Sequence, residues 1–78
     1  LAPPAYPAAA RAARLEGHVE LRVTVSPDGR VTQAEVVAAM PRGDFERAAL
    51  EAVRGWRLPP ADASRSLRRR FEFSLPDS

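Results

Sequence analysis

The residues that could carry acid–base or metal chemistry are few, and their spacing serves neither. His18 is the only histidine, and it alternates with Val19, Leu21 and Val23 on the parity that faces away from them. No nucleophile or second ligand stands beside it, so it reads as a solvent-side strand residue. Asp28 and Asp62 fall in turn-forming stretches, Glu20 and Glu35 in strand-like ones, and local spacing pairs none of them as acid and base. The four glycines are scattered over turns and element ends, so no glycine-rich loop exists to cradle a phosphate. With no cysteine, the chain has neither a disulfide nor a thiolate metal site. These groups form no catalytic constellation, and no enzyme activity, metal or cofactor is expected.

Two features remain that could meet a partner. Arg65 and Arg68, Arg69 and Arg70 cluster beside Phe71 and Phe73, which is where a nucleic-acid binder would put cations for phosphates and rings for bases. However, both phenylalanines share the parity of the apolar positions, so their rings belong under the core. The arginines then read as charges that keep an exposed sheet edge from pairing with its like. The second feature is that edge: an unpaired rim to which an extended peptide can add by main-chain hydrogen bonds.

The elements that position these residues follow from periodicity. Phe45, Ala48, Ala49, Ala52, Val53 and Trp56 fall at i, i+3, i+4, i+7, i+8 and i+11, one apolar helical stripe. Asp44 is the expected N-cap, and Gly55-Trp56 with Pro59-Pro60 ends the helix. Upstream, Pro7 suits a first helical position, and a short helix is expected over Ala8 to Glu16. Ala10, Ala13 and Leu15 are its expected buried members, with Gly17 as the left-handed stop. Val19, Leu21, Val23 and Val25 alternate with polar residues as a half-buried strand. Ser26-Pro27-Asp28-Gly29 is a tight turn into a second strand, Val31 to Ala39. There, Ala34, Val36 and Ala38 share one parity and Val31 and Val37 the other; a bulge near Thr32-Gln33, or a two-sided strand, reconciles them. The last strand, Leu67 to Leu75, carries Leu67, Phe71, Phe73 and Leu75 on one parity and Arg68, Arg70, Glu72 and Ser74 on the other. Arg69 shares the apolar parity, its stem over the core and its head reaching water.

The fold class expected is α+β, a two-layer sandwich in the order α-β-β-α-β. Three antiparallel strands carry two helices on one face, with the last strand beside the first. Seventy-eight residues make a single domain, and no run of about 18 apolar residues is available to span a membrane. All twelve basic residues are arginine, and the net charge of +2 is too small to argue for nucleic acid by itself. Leu1 to Ala5 reads as the end of a Pro/Ala-rich linker, with the domain proper over residues 6–78.

The chain resembles the TonB C-terminal domain family. The residues that carry the likeness are Tyr6-Pro7, Ala10, Gly17 before Val19-x-Leu21-x-Val23-x-Val25, and Asp28-Gly29-x-Val31. Phe45, Ala48-Ala49 and the closing Trp56-Arg57-x-x-Pro60 complete the series, in the family's order across positions 6 to 75. The resemblance implies a periplasmic domain whose full-length protein has an inner-membrane anchor and a Pro-rich spacer. The anchor would meet the proton-driven motor proteins ExbB and ExbD. The domain would grip the TonB box of outer-membrane transporters by strand addition, serving uptake such as that of siderophore-bound iron. On this sequence the gripping strand is Leu67, Arg68, Arg69, Arg70, Phe71, Glu72, Phe73, Ser74 and Leu75, with Tyr6 and Pro7 helping nearby. The family often has a glutamine before the Tyr-Pro pair, whereas Pro3, Pro4 and Ala5 stand here. Some members cover the last strand with a further short one. Here the chain stops just past Pro76, so a bare edge is expected, with a monomer at micromolar concentration and edge pairing on concentration. The alternatives are a TolA-like envelope domain, which usually bears cysteine and lacks the Trp56-Arg57-x-x-Pro60 closure, and a small arginine-rich nucleic-acid binder.

Overall fold

The computed structural model describes residues 1–76. In chain order these form α1 (Ala8–Ala12), β1 (Gly17–Val25), β2 (Val31–Met40), α2 (Glu46–Arg54) and β3 (Arg65–Phe73). The strands make one antiparallel sheet in the order β2-β1-β3. β1 is central because its alternation is the cleanest: Val19, Leu21, Val23 and Val25 are all fully buried. Their faces meet Phe45, Ala49, Val53 and Trp56 from the α2 region, Ala10 from α1 and Phe73 from β3. The expected α+β architecture, with both helices on one face, is the one found.

Several local expectations give way. α1 ends at Ala12, not Glu16, because Arg14 takes the left-handed conformation (φ 54°) that had been expected of Gly17. Ala13 is therefore exposed and Leu15 only half-buried. Gly17 instead opens β1, where a Cβ would sit 2.2 Å from the Met40 carbonyl oxygen, and that close approach is its reason to be glycine. The mixed parity of β2 is resolved by two register shifts. One, at Thr32, sits where a bulge was expected and brings Val31 opposite Val25 and Ala34 opposite Val23. The other, at Val37, turns Ala39 rather than Ala38 toward the core, opposite Val19. Val36, Val37 and Met40 are left exposed on this outer strand.

The N-cap of α2 is also reassigned. Phe45 holds that position without a side-chain cap. The Glu46 carboxylate bends back to accept the N–H groups of Gly43 (2.9 and 2.8 Å) and Phe45 (3.2 Å), the role expected of Asp44. The Gly43 bond is the main reason the Glu46 carboxyl ionises below its ordinary range, with Phe45 N–H and nearby Arg42 adding to it against partial burial. The stripe itself is buried as its spacing requires: Phe45, Ala49, Val53 and Trp56 fully, Ala48 and Ala52 in part.

The turn between β1 and β2 is tied to the segment after α2. Gly29 N–H bonds Ser26 O at 2.9 Å, and Gly29 lies at φ 91°. Its carbonyl accepts from Leu58 N–H (2.9 Å), and Ala61 N–H bonds Pro27 O (2.8 Å). The Trp56-Arg57-x-x-Pro60 stretch thus runs along the hairpin end and delivers the chain to β3.

Candidate functional site

β3 borders only β1, so the strand's other side is an open edge among the described residues. Register with β1 sorts its side chains. Phe73, Phe71, Arg69, Leu67 and Arg65 lie opposite Gly17, Val19, Leu21, Val23 and Val25, on the helix-covered face. Glu72, Arg70, Arg68 and Ser66 lie opposite His18, Glu20, Arg22 and Thr24, on the bare face. In an antiparallel edge strand, alternate residues turn their N–H and C=O away from the neighbour, so the rim offers donors and acceptors at strand spacing.

The bare face is a checkerboard of opposite charges. Arg68 bonds the Glu20 carboxylate at 2.9 Å, Arg22 bonds Glu35 at 3.1 Å, and Arg70 pairs with Glu72. Arg22 and Arg68 stand directly opposite each other, and their repulsion is relieved because each reaches a glutamate. Each such exposed pair contributes only about 0.2–1 kcal/mol. Their larger effect is to neutralise two arginines that the sequence left as free cations, so the edge is less positive than four clustered arginines imply. His18 lies on this face too, opposite Glu72.

The helix-covered face is aromatic. Phe45 and Phe73 stack at 4.4 Å, and Tyr6 meets both edge-on at 5.7 and 5.8 Å. The Tyr6 hydroxyl donates to the Leu15 carbonyl, and the Arg11 guanidinium lies over the ring. Pro7 leads into α1, its carbonyl accepting from Arg11 N–H at 2.9 Å. Farther along, Trp56 meets Phe71 edge-on at 5.8 Å, and the Arg69 guanidinium sits over the indole at 5.6 Å. Arg69 therefore does what its parity implied, stem over core and head outward. Phe73 is buried and Phe71 half-buried, so neither ring is a free stacking platform for a base.

Three sequence expectations about this site need correction. The strand ends at Phe73, so Ser74 and Leu75 lie beyond it. Leu75 N–H is held by the Glu16 carboxylate at 2.6 Å and is not an open ladder donor. The strand also begins two residues earlier than expected, at Arg65, whose guanidinium donates to the Pro59 carbonyl at 2.8 Å. A further contact was not legible in the sequence at all. The Trp56 indole N–H donates to the Ala2 carbonyl at 3.0 Å, pinning the N-terminal segment to the end of α2, where Trp56 also meets Phe71 of β3.

The comparisons agree with this architecture. The family model described as Gram-negative bacterial TonB protein C-terminal matches residues 2–76. Protein TonB of Escherichia coli K12 is 46% identical over 57 residues, 73% of this chain and 24% of that protein. Protein TonB of Klebsiella pneumoniae is 38% identical over 72 residues, 92% of this chain and 30% of that protein. The chain thus spans under a third of the length of these relatives. The solution NMR structure of the Pseudomonas aeruginosa TonB CTD superposes with a TM-score of 0.89 at 29% identity, covering 99% of this chain and 83% of that one. A three-stranded sheet with two helices on one face, the landmark residues in order and a family match across 2–76 make this chain a member of the TonB C-terminal domain family.

Proposed function

We propose that this domain is the periplasmic, non-catalytic binding end of a TonB-type energy transducer. It grips the TonB box of outer-membrane transporters by adding that segment as a fourth strand to β3. Work drawn from the proton-motive force reaches it through an inner-membrane anchor that meets ExbB and ExbD. The domain boundary falls near Tyr6, after a Pro-rich linker; the far boundary of residues 6–78 lies outside the described residues. The observation that carries the reading is the open edge of β3, nine residues of strand with one side unpaired. Family membership supports it, since the relatives and the solved structure described above are all TonB proteins.

Strand addition places recognition in main-chain bonds, with side chains at alternate positions setting specificity. The contact set is Leu67 to Phe73 with Ser74, Leu75, Tyr6 and Pro7 at its end. Because Arg68 and Arg70 already have carboxylate partners, acidic residues on the peptide must compete with Glu20 and Glu72. Salt therefore acts modestly, and more on association than on release. The test is amide shift mapping with a TonB-box peptide: perturbations are expected along Arg65–Phe73. Clustering on the Ser26–Arg30 turn or the Pro41–Asp44 loop, with β3 silent, refutes the mechanism.

A further inference from the structure

The N-terminal segment Leu1–Ala5 lies against the domain with little to hold it. Among the described residues, its hydrogen bond to the rest of the domain is the one from Trp56 Nε1 to the Ala2 carbonyl, and the chain is next secured at Tyr6. Between those two ties, Pro3 and Ala5 form one wall of a groove of about 690 Å³ whose other wall is α2, at Arg47, Ala48 and Ala52. The segment therefore spans a gap rather than packing into the core. Its two ties also locate it. Trp56 touches Phe71 and Tyr6 touches Phe73, so both ties of the segment rest on side chains that pack on the helix-covered side of β3.

A strand added beside β3 puts every second side chain on that same side, about 5 Å from Arg69, Phe71 and Phe73. Those side chains and the Leu1–Ala5 segment compete for one space. Phe71 is only half-buried, and Trp56 is 5% exposed with its N–H already engaged by the segment. Lifting the segment frees the indole N–H and uncovers a shelf made of Trp56 and Phe71.

We propose that Leu1–Ala5 is a strap, closed by the Trp56–Ala2 bond, which a partner strand on β3 displaces, and that the uncovered shelf takes an apolar side chain of the partner. The proposal rests on the strand-addition reading above. It adds a specificity position, an apolar residue facing Phe71, and a closing penalty that every partner must overcome. That penalty is the net value of the strap's bond, so its removal tightens binding by about 2- to 12-fold.

The test uses residues 1–78. Cysteine is absent, so Leu1→Cys, at a position 65% exposed, carries a single spin label. Trp56 is the only tryptophan, giving one indole resonance to watch. The probe is a capped nine-residue peptide of alternating valine and threonine with a central phenylalanine. In the free chain, the label should broaden the Trp56 indole and Phe71 amide signals; peptide should shift β3 amides and remove that broadening together. Trp56→Phe, which keeps a ring but loses the donor, should release the strap without peptide and tighten binding by the factor above. Replacing the central phenylalanine by serine should weaken binding about tenfold. If β3 amides shift while broadening persists, the strap is wrong and strand addition stands. If β3 never shifts, both fall. Unchanged affinity in both the Trp56→Phe chain and the serine peptide overturns the strap and its shelf alone.

Discussion

Replacing Phe45 by alanine should bring the domain to the brink of unfolding. Phe45 is fully buried, stacked on Phe73 at 4.4 Å, edge-on to Tyr6 at 5.7 Å, and closed over by Gly17. Truncating such a ring loses its transfer energy and leaves a cavity, together about 3–5 kcal/mol. A chain of 78 residues at about 0.05–0.15 kcal/mol per residue has roughly 4–12 kcal/mol in all. The assay is urea unfolding followed by circular dichroism. With a slope of about 1 kcal/mol per molar, the midpoint should fall by about 3–5 M, and heating should show a loss of some 15–30 °C. Phe45→Leu fills most of the space and should cost under about 1.5 kcal/mol. Combining it with Phe73→Leu isolates the ring–ring contribution as a coupling of about 0.5–1.5 kcal/mol. A cooperative Phe45→Ala variant whose midpoint moves by less than 1 M would refute the claim that this ring organises the core.

Gly29 and Gly43 both have positive φ, 91° and 94°, but a Cβ at Gly29 would lie 2.0 Å from the Leu58 oxygen while one at Gly43 meets nothing. Gly43→Ala should therefore cost only the left-handed strain, about 1–2 kcal/mol, and Gly29→Ala at least about 1 kcal/mol more because the bond to Leu58 is lost too, a gap readable in the same urea titrations. The lowered Glu46 ionisation makes stability depend on pH: the unfolded chain binds the proton first as pH falls, so the contribution is full above about pH 4.5 and is lost as pH drops through the lower folded value. Glu46→Gln should flatten that acid limb and cost about 0.5–1.5 kcal/mol at neutral pH; an acid limb of unchanged slope would reject the capping role. Arg70→Pro, which removes a main-chain donor and strains β3, should weaken binding of a TonB-box peptide far more than Arg70→Ala; equal losses in calorimetric titration would mean that side chains, not backbone, carry the affinity.

Legibility in the sequence followed the range of the forces involved. β1 was readable because burial on one face imposes a period of two, and α2 because its stripe has the helical period. β2 was ambiguous because two single-residue shifts swap its faces, and alanine's small side chain marks inside and outside weakly. Local rules also assigned capping to Asp44 and a left-handed stop to Gly17. The structure gave those tasks to Glu46 and Arg14, since Gly17 was needed where β1 passes the Met40 carbonyl. At the candidate site, the parity of Arg69 and the edge position of the last strand could be inferred. The pairing of Arg68 with Glu20 spans 48 residues, that of Trp56 with Ala2 spans 54, and no local pattern encodes either.

The clamp on Tyr6 determines where tension would enter the domain. A pull on the chain's start has one hydrogen bond to break at Ala2, which leaves residues 1–5 as a tether that reaches at most about 17 Å from Tyr6. The load then arrives at a ring set edge-on against the stacked pair Phe45 and Phe73, with its hydroxyl fastened to Leu15. Phe73 ends the edge strand, so stress passes through the aromatic contact into β3 as well as along the backbone into α1. In a molecule 46 Å long and 20 Å wide, the tether and the rim that would hold a cargo strand are mechanical neighbours, and the rest of the fold serves as their backing plate.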